Sequence, residues 1–247
     1  MQSADVVGLV PAAGKGERLG LPFPKELWPL IGKEEFYPVA RRTVENLTTA
    51  GVRHIVVVTN ANKPSVMQYL GNGSRFGAHI AYVCQEQFQN RGMSPGLSDA
   101  LDCGYHLIRD KIVAFGMPDT IVEPVECFQP LLQAVREGAD LALGLFPTAK
   151  PHKFGMVQCD ERGAIERVVD KPAQTDLRLM WGVMAWSPRF TEHLHHVMTT
   201  EPTDFAGVMN GALRQGLRGT GIEIRDGRYL DLGTYDDLVR LGTFLAP

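Results

Sequence analysis

Two carboxylates, Asp119 and Asp231, and two cations, Arg18 and Lys25, follow short apolar or glycine-bearing runs, where side chains are placed to meet ligands. Arg18 and Lys25 come after Pro11-Ala12-Ala13-Gly14-Lys15-Gly16 and bracket Pro22, with Pro24 directly before Lys25. Glycines let backbone amides approach an anion without a Cβ in the way. Arginine offers a planar fork for two phosphate oxygens and lysine a compact point charge, so the pair suits a polyphosphate such as a nucleoside triphosphate. Each proline restricts the residue before it to extended backbone, which limits where Lys25 points. The loop matches neither G-x-x-x-x-G-K-[ST] nor the dinucleotide fingerprint. Taken alone, it also fits a glycine-rich turn with two surface cations.

Asp119 ends Phe115-Gly116-Met117-Pro118-Asp119, and Asp231 opens Asp231-Leu232-Gly233-Thr234. Two carboxylates from distant segments could share one Mg2+, which takes oxygen ligands and completes its shell with phosphate oxygens and water. Singly, each aspartate reads equally as a turn former or helix cap.

Elements must bring these residues together. Apolar runs at residues 6–10, 54–59, 79–84, 112–116 and 140–146 predict buried strands. Helical patterns fall between them, at about 37–50 with Gly51 as the stop, after Asn62 with Pro64 in the first turn, at 96–109 and at 124–137. This alternation predicts a doubly wound, mixed but mostly parallel α/β sheet. Beyond residue 150 the pattern predicts a smaller β-rich lobe, with hairpins pairing 154–159 with 164–169, and 222–225 with 228–232 across Asp226-Gly227. Helices are expected at 188–198, at 204–215 with Thr203-Asp204 as cap, and after Thr234. No linker interrupts the chain, so residues 1–247 are read as one domain. In such sheets ligands gather beyond the carboxyl ends of the strands.

Composition narrows the class. A chain of 247 residues that is 44% hydrophobic can bury a sizeable core, and a net charge of −3 gives no reason to expect nucleic acid or an anionic membrane as partner. No run approaches the ~18 apolar residues of a membrane span, and no secretory signal is seen, so a cytoplasmic setting is expected. Cys84, Cys103, Cys127 and Cys159 form no C-x-x-C pair and read as reduced thiols. His193-Leu194-His195-His196 looks like a metal tract, but a helix puts only His193 and His196 on one face, so a solvated face is expected.

In motif order the chain resembles the sugar-1-phosphate nucleotidyltransferases over nearly its whole length, with glucose-1-phosphate thymidylyltransferases as the nearest pattern. The matching motifs are A-A-G-K-G-E-R with P-K at Lys25; Gln85 followed by Gly96-Leu97; G-M-P-D at Asp119; F-G-M-V with V-D-K-P; and D-L-G-T. The resemblance implies a Rossmann-like nucleotidyltransferase fold with a sugar-binding lobe. It implies Pro11, Ala12, Ala13, Gly14, Gly16, Gln85 and Gly96 at the nucleotide, and Arg18 and Lys25 as catalytic cations on the triphosphate. It further implies Gly155, Asp170 and Lys171 at the sugar phosphate, and Asp119 and Asp231 on Mg2+. The partners implied are a nucleoside triphosphate and a sugar 1-phosphate, with homo-oligomers allowed.

There are three departures. The interval from Arg18 to Lys25 is short, more like that of the cytidylyltransferase acting on methylerythritol phosphate; Asp170 stands where glutamate is usual; and Met117-Pro118 precede Asp119 where glycine often does. The left-handed β-helix of bifunctional members has no counterpart in the pattern.

The implied chemistry is attack of a sugar-1-phosphate oxygen on the α-phosphorus of the triphosphate, with pyrophosphate leaving. Gln85 can pair with a uracil-type edge, which favours dTTP or UTP. The alternatives are a cytidylyltransferase of sugar or polyol phosphates, against which Asp170-Lys171-Pro172 weighs, and a non-catalytic nucleotide-sugar sensor, which would not need to keep five charged positions. Trp181 is placed either as a wall against the sugar or in the core.

Overall fold

The computed structural model describes residues 5–14, 16, 19–31, 35–86 and 96–244. Four parallel strands, β1 (Val6–Pro11), β4 (His54–Thr59), β5 (His79–Cys84) and β6 (Ile112–Phe115), lie in the order β5-β4-β1-β6. Between β1 and β4 the chain forms a short ladder of β2 (Pro29–Ile31) with β3 (Phe36–Pro38), then α1 (Ala40–Thr49). The helices α2 (Pro64–Leu70), α3 (Leu97–Asp102), α4 (Tyr105–Ile108) and α5 (Gln129–Arg136) follow in chain order.

The period of two along a strand sorts side chains to opposite faces. Thus Val6, Val10, Ile55 and Val57 pack with Val44, Leu47, Val66 and Leu132, whereas Val7, Leu9, Val56 and Val58 pack with Ala100, Leu101, Phe190 and Val208 on the other face. Burial on both sides explains the unbroken apolar runs.

The same sheet continues into the second lobe. β11 (Leu179–Trp186) runs antiparallel to β6 through Met184–Trp186 and to β8 (Leu141–Pro147) along its other edge. β12 (Gly219–Glu223) lies parallel to β8, while β9 (Gly155–Cys159) pairs with β10 (Ile165–Asp170) and touches β11 at Met180. The helices α6 (Pro188–Thr200) and α7 (Phe205–Arg214) cover one face. A separate two-stranded ribbon joins β7 (Thr120–Glu123) to β13 (Arg228–Asp231), and α8 (Tyr235–Phe244) follows it.

The doubly wound core, the hairpin at 154–169 and the Asp204 cap agree with the sequence reading; the Asp204 carboxylate accepts from the Gly207 amide at 2.6 Å. Other expectations need correction. The expected hairpin across Asp226-Gly227 does not form: the turn is present, with Asp226 at φ +54, but β12 pairs with β8 and β13 with β7. The edge of the main sheet at β8 and the strand β7 outcompete the local pairing. The expected helix at 37–50 begins at Ala40, because Pro38 holds Tyr37 extended and 36–38 become β3. The expected helix at 96–109 breaks at Cys103-Gly104, where a Cβ on Gly104 would stand 3.2 Å from Leu9 of β1. The helix expected at 124–137 is confined to α5, and β11, whose apolar run is interrupted by Gly182, has no counterpart among the expected elements.

His193 is buried rather than solvated: its ring nitrogens sit 3.0 Å from Gln215 Oε1 and 3.0 Å from the Val208 carbonyl, so it locks α6 to α7. Asn46 of α1 donates from Nδ2 to the Val122 carbonyl at 3.1 Å, fastening the ribbon to the first lobe. Asn46→Ala removes a partner from a buried carbonyl and is expected to lower unfolding free energy by about 1–3 kcal/mol in urea titrations.

Candidate active site

The carboxyl ends of β1, β4, β5 and β6 frame a cavity of about 290 Å3. Pro11, Ala13 and Gly14 enter it from β1, Asn60 from β4, and Gln85 from β5. Gly96 and Leu97 close it at the start of α3, and Asp119 enters beyond β6. A Cβ on Gly14 would meet nothing within 4 Å, so its backbone faces open space. Ala12 is placed differently. Its side chain is buried, its amide donates to the Val58 carbonyl at 2.6 Å, and its carbonyl accepts from Lys63 Nζ at 3.0 Å. Gly16 takes φ +68, a left-handed conformation glycine adopts without strain, and lies beside Lys25. Arg18 lies outside the described residues.

Lys25 opens a short 3-10 turn (Lys25–Leu27) that Pro24 leads into. Its ammonium donates to Asp119 Oδ2. Burial works to depress the Lys25 pKa, but the Asp119 carboxylate, helped by Asp231 and Glu26, outweighs it and holds the group above its ordinary 10.5. Asp119 is 1% exposed, and its other oxygen, Oδ1, has no hydrogen-bond partner among the described residues. A buried carboxylate with an unmet oxygen is costly unless a cation or donor meets it. The ribbon sets the second acid beside the first: Asp231 is paired with Thr120, and the Leu232 amide donates to the Asp119 carbonyl at 3.0 Å. Burial first, then Asp231 and Asp119, push the Tyr229 hydroxyl well above its ordinary pKa.

Beyond Lys25 and Asp119 a second cavity, of about 370 Å3, opens toward the second lobe; both residues line the two cavities. Gly155, Asp170, Lys171 and Asp231 line it. Strand register brings the first three together: Asp170 is opposite Gly155, and the Lys171 amide donates to the Phe154 carbonyl at 3.0 Å. Lys171 has φ +42, a backbone state that costs a non-glycine residue roughly 1–3 kcal/mol and is concentrated at binding sites. Its ammonium lies 3.3 Å from Asp170 Oδ2. Trp181 packs against Phe115 and Phe205 and also lines the cavity. A Cβ at Gly155 would stand 2.2 Å from its indole nitrogen, so only glycine fits beneath that ring.

Sequence reading overlooked four polar residues here. Glu26, 1% exposed, accepts from Lys63 Nζ at 2.7 Å, and Asn60 Nδ2 donates to the Ala13 carbonyl at 2.6 Å, so the turn carrying Lys25 and the glycine loop are fastened to one support. Lys153 enters the second cavity. A lysine one residue before the proline that opens α2 was the only sequence signal for Lys63, and nothing local marked its partner.

The site is thus a chamber of about 290 Å3 joined to a second chamber at a lysine and a carboxylate, at the carboxyl ends of a Rossmann-like sheet, a geometry compatible with nucleotidyltransferases. The model of the nucleotidyl transferase family matches residues 7–246, and the chain belongs to that family. It is 29% identical over 73% of its length to the low-salt glycan biosynthesis nucleotidyltransferase Agl11 of Haloferax volcanii, covering 49% of that protein. It is 32% identical over 67% of its length to the 2-C-methyl-D-erythritol 4-phosphate cytidylyltransferase of Saccharopolyspora erythraea, covering 69% of it. A Bacillus anthracis structure assigned as a glucose-1-phosphate thymidylyltransferase, solved with sucrose, superposes with a TM-score of 0.83 at 21% identity, covering 97% of this chain and 94% of that one. That likeness establishes the fold.

Two outcomes test the electrostatics. Lys63→Met strands the buried Glu26 carboxylate and is expected to cost about 3–5 kcal/mol of unfolding free energy, whereas the double change Lys63→Met with Glu26→Leu, which removes both charges, recovers most of it. Because Lys25 holds its proton more tightly folded than unfolded, its contribution is fully present below pH 10.5 and is lost as pH rises through the folded value. Denaturant midpoints from pH 9 to 12 are therefore expected to fall more steeply for the parent than for Lys25→Met.

Proposed function

We propose that the protein transfers a nucleoside monophosphate from a nucleoside triphosphate, dTTP or UTP preferred, to a sugar 1-phosphate, releasing pyrophosphate. The observation that carries this reading is the joining of the two cavities at Lys25 and Asp119, where two bound anions would meet. An oxygen of the sugar phosphate attacks the α-phosphorus, a new P–O bond forms, and the bond from the α-phosphorus to the bridging oxygen breaks. With a second pKa near ~6, the attacking monoester is largely dianionic at neutral pH, so the reaction needs no general base. Catalysis then rests on positioning and charge stabilisation.

Lys25 is suited to the α-phosphate and Lys171 to the attacking phosphate, with Arg18 assigned to the departing pyrophosphate. Lys25, Lys153 and Lys171 are the cations among the described lining residues, and the carboxylates outnumber them. Adding a triphosphate and a sugar phosphate to such a site calls for a divalent cation. The unmet Asp119 oxygen and the neighbouring Asp231 fit Mg2+, which would be held by these two residues and would neutralise charge on the triphosphate. Free thiols at all four cysteines, and no helix among the described residues long and apolar enough to cross a membrane, support a cytoplasmic setting.

A cytidylyl transfer is the second reading, favoured by the short interval from Arg18 to Lys25 and by the Saccharopolyspora relative. A sensor would have no use for the charges kept at Lys25, Asp119, Lys171 and Asp231. The deciding assay measures pyrophosphate release over a grid of five nucleoside triphosphates and several sugar and polyol phosphates, with and without magnesium. Turnover on a sugar 1-phosphate is expected, and silence across the grid refutes the reading. Lys25→Ala is expected to lower turnover on the order of 100-fold, as loss of one transition-state donor does in other enzymes.

A further inference from the structure

Asp231 stands at the end of β13, which pairs among the described residues with β7 alone, and a two-stranded ribbon is marginal by itself. The residues just after it make two bridges in opposite directions. Toward the second lobe, Lys153 Nζ donates to both carboxylate oxygens of Asp237, at 3.1 and 3.2 Å, and to Thr234 Oγ1 at 3.3 Å. Thr234 Oγ1 itself donates to Asp237 at 2.5 Å, closing the group into a network at the first turn of α8. Toward the first lobe, the Tyr235 hydroxyl donates to the Leu19 carbonyl at 2.6 Å, at the far end of the glycine loop. Leu230, Leu232 and Leu238 pack in one small cluster beneath, so ribbon and helix move as a unit.

We propose that the first turn of α8 is a strap that fixes the Asp231 carboxylate in the second cavity, which Lys25 and Asp119 also line, with Lys153 and Tyr235 as its positioning residues. The assignment of catalytic consequences rests on the transferase reading above. Lys153 lines the sugar-side cavity, yet its donors are directed to Asp237 and Thr234, so it acts through them. Loosening either bridge frees the segment after Asp231, and the carboxylate loses its fixed place near Lys25 and Asp119 in the sugar-side cavity.

Two measurements on the full chain test this. With the substrate pair that the grid identifies, Lys153→Met and Tyr235→Phe are each expected to lower kcat on the order of 10-fold with either KM changed less than about threefold, since small misplacements at a reacting centre carry large rate costs. Lys153→Arg, which keeps the charge and donors, is expected to recover most of the rate. Independently of activity, Lys153→Met is expected to speed amide hydrogen exchange by roughly 10-fold not only at 151–155 but also along β13 and at Gly16, Leu19 and Gly20, on the far side of the strap. Exchange altered at 151–155 alone overturns the proposal. So does a Lys153→Met variant that raises only the KM for the sugar phosphate, or a Lys153→Arg variant as slow as Lys153→Met. A parent inactive on every pair sinks the transferase reading, and the exchange measurement still decides the strap.

Discussion

A carboxylate removed from water needs a counter-charge, and Asp119, buried at the mouth of the sheet, finds one in Lys25. That pair sits where two chambers join, so whatever binds on either side meets both a fixed positive and a fixed negative group. The lysine answers only one carboxylate oxygen, and the other has no hydrogen-bond partner among the described residues. Much of the remaining structure serves to hold the segments that carry this ion pair.

The support beneath it is itself charged. Glu26 follows Lys25 on the same turn and is buried against Lys63, whose ammonium also ties down the Ala12 carbonyl. Burial raises the Glu26 pKa while Lys63 pulls it back, so the pair depends on both partners being present. Buried ion pairs contribute little net stability compared with apolar packing, but they fix geometry in a way that oily contacts do not. Here the geometry fixed is the spacing between the glycine loop and Lys25.

Asp231 reaches the same place by a different route. It arrives outside the main sheet, on a ribbon whose partner strand starts one residue after Asp119. Two acids far apart in the chain become neighbours because one short antiparallel ladder sets their register. The ribbon draws its rigidity from Asn46 on one side and from the bridges of α8 on the other. Positioning in this site is therefore shared between elements that belong to neither strand.

The parallel core was legible in the sequence because its strands are buried on both faces and write their identity as continuous apolar runs, and the glycine loop because glycines and cations directly after such a run suit an anion, a reading that the later motifs strengthened. Gly14, Lys25, Asp119 and Asp231 could be named from local signals, and Pro11, Ala13, Gln85, Gly96, Gly155, Asp170 and Lys171 from the motif order that resembles a known family; each lines at least one of the two cavities. The tertiary structure alone decided which strands pair after residue 219, how Lys63 meets Glu26, that Ala12 turns its polar groups into the scaffold, and how Lys153 and Tyr235 bridge to α8. The physical reason is range. Periodicity and turn chemistry are properties of a few consecutive residues, whereas a buried ion pair or a strand partner is settled by competition among segments that meet only when the chain is folded.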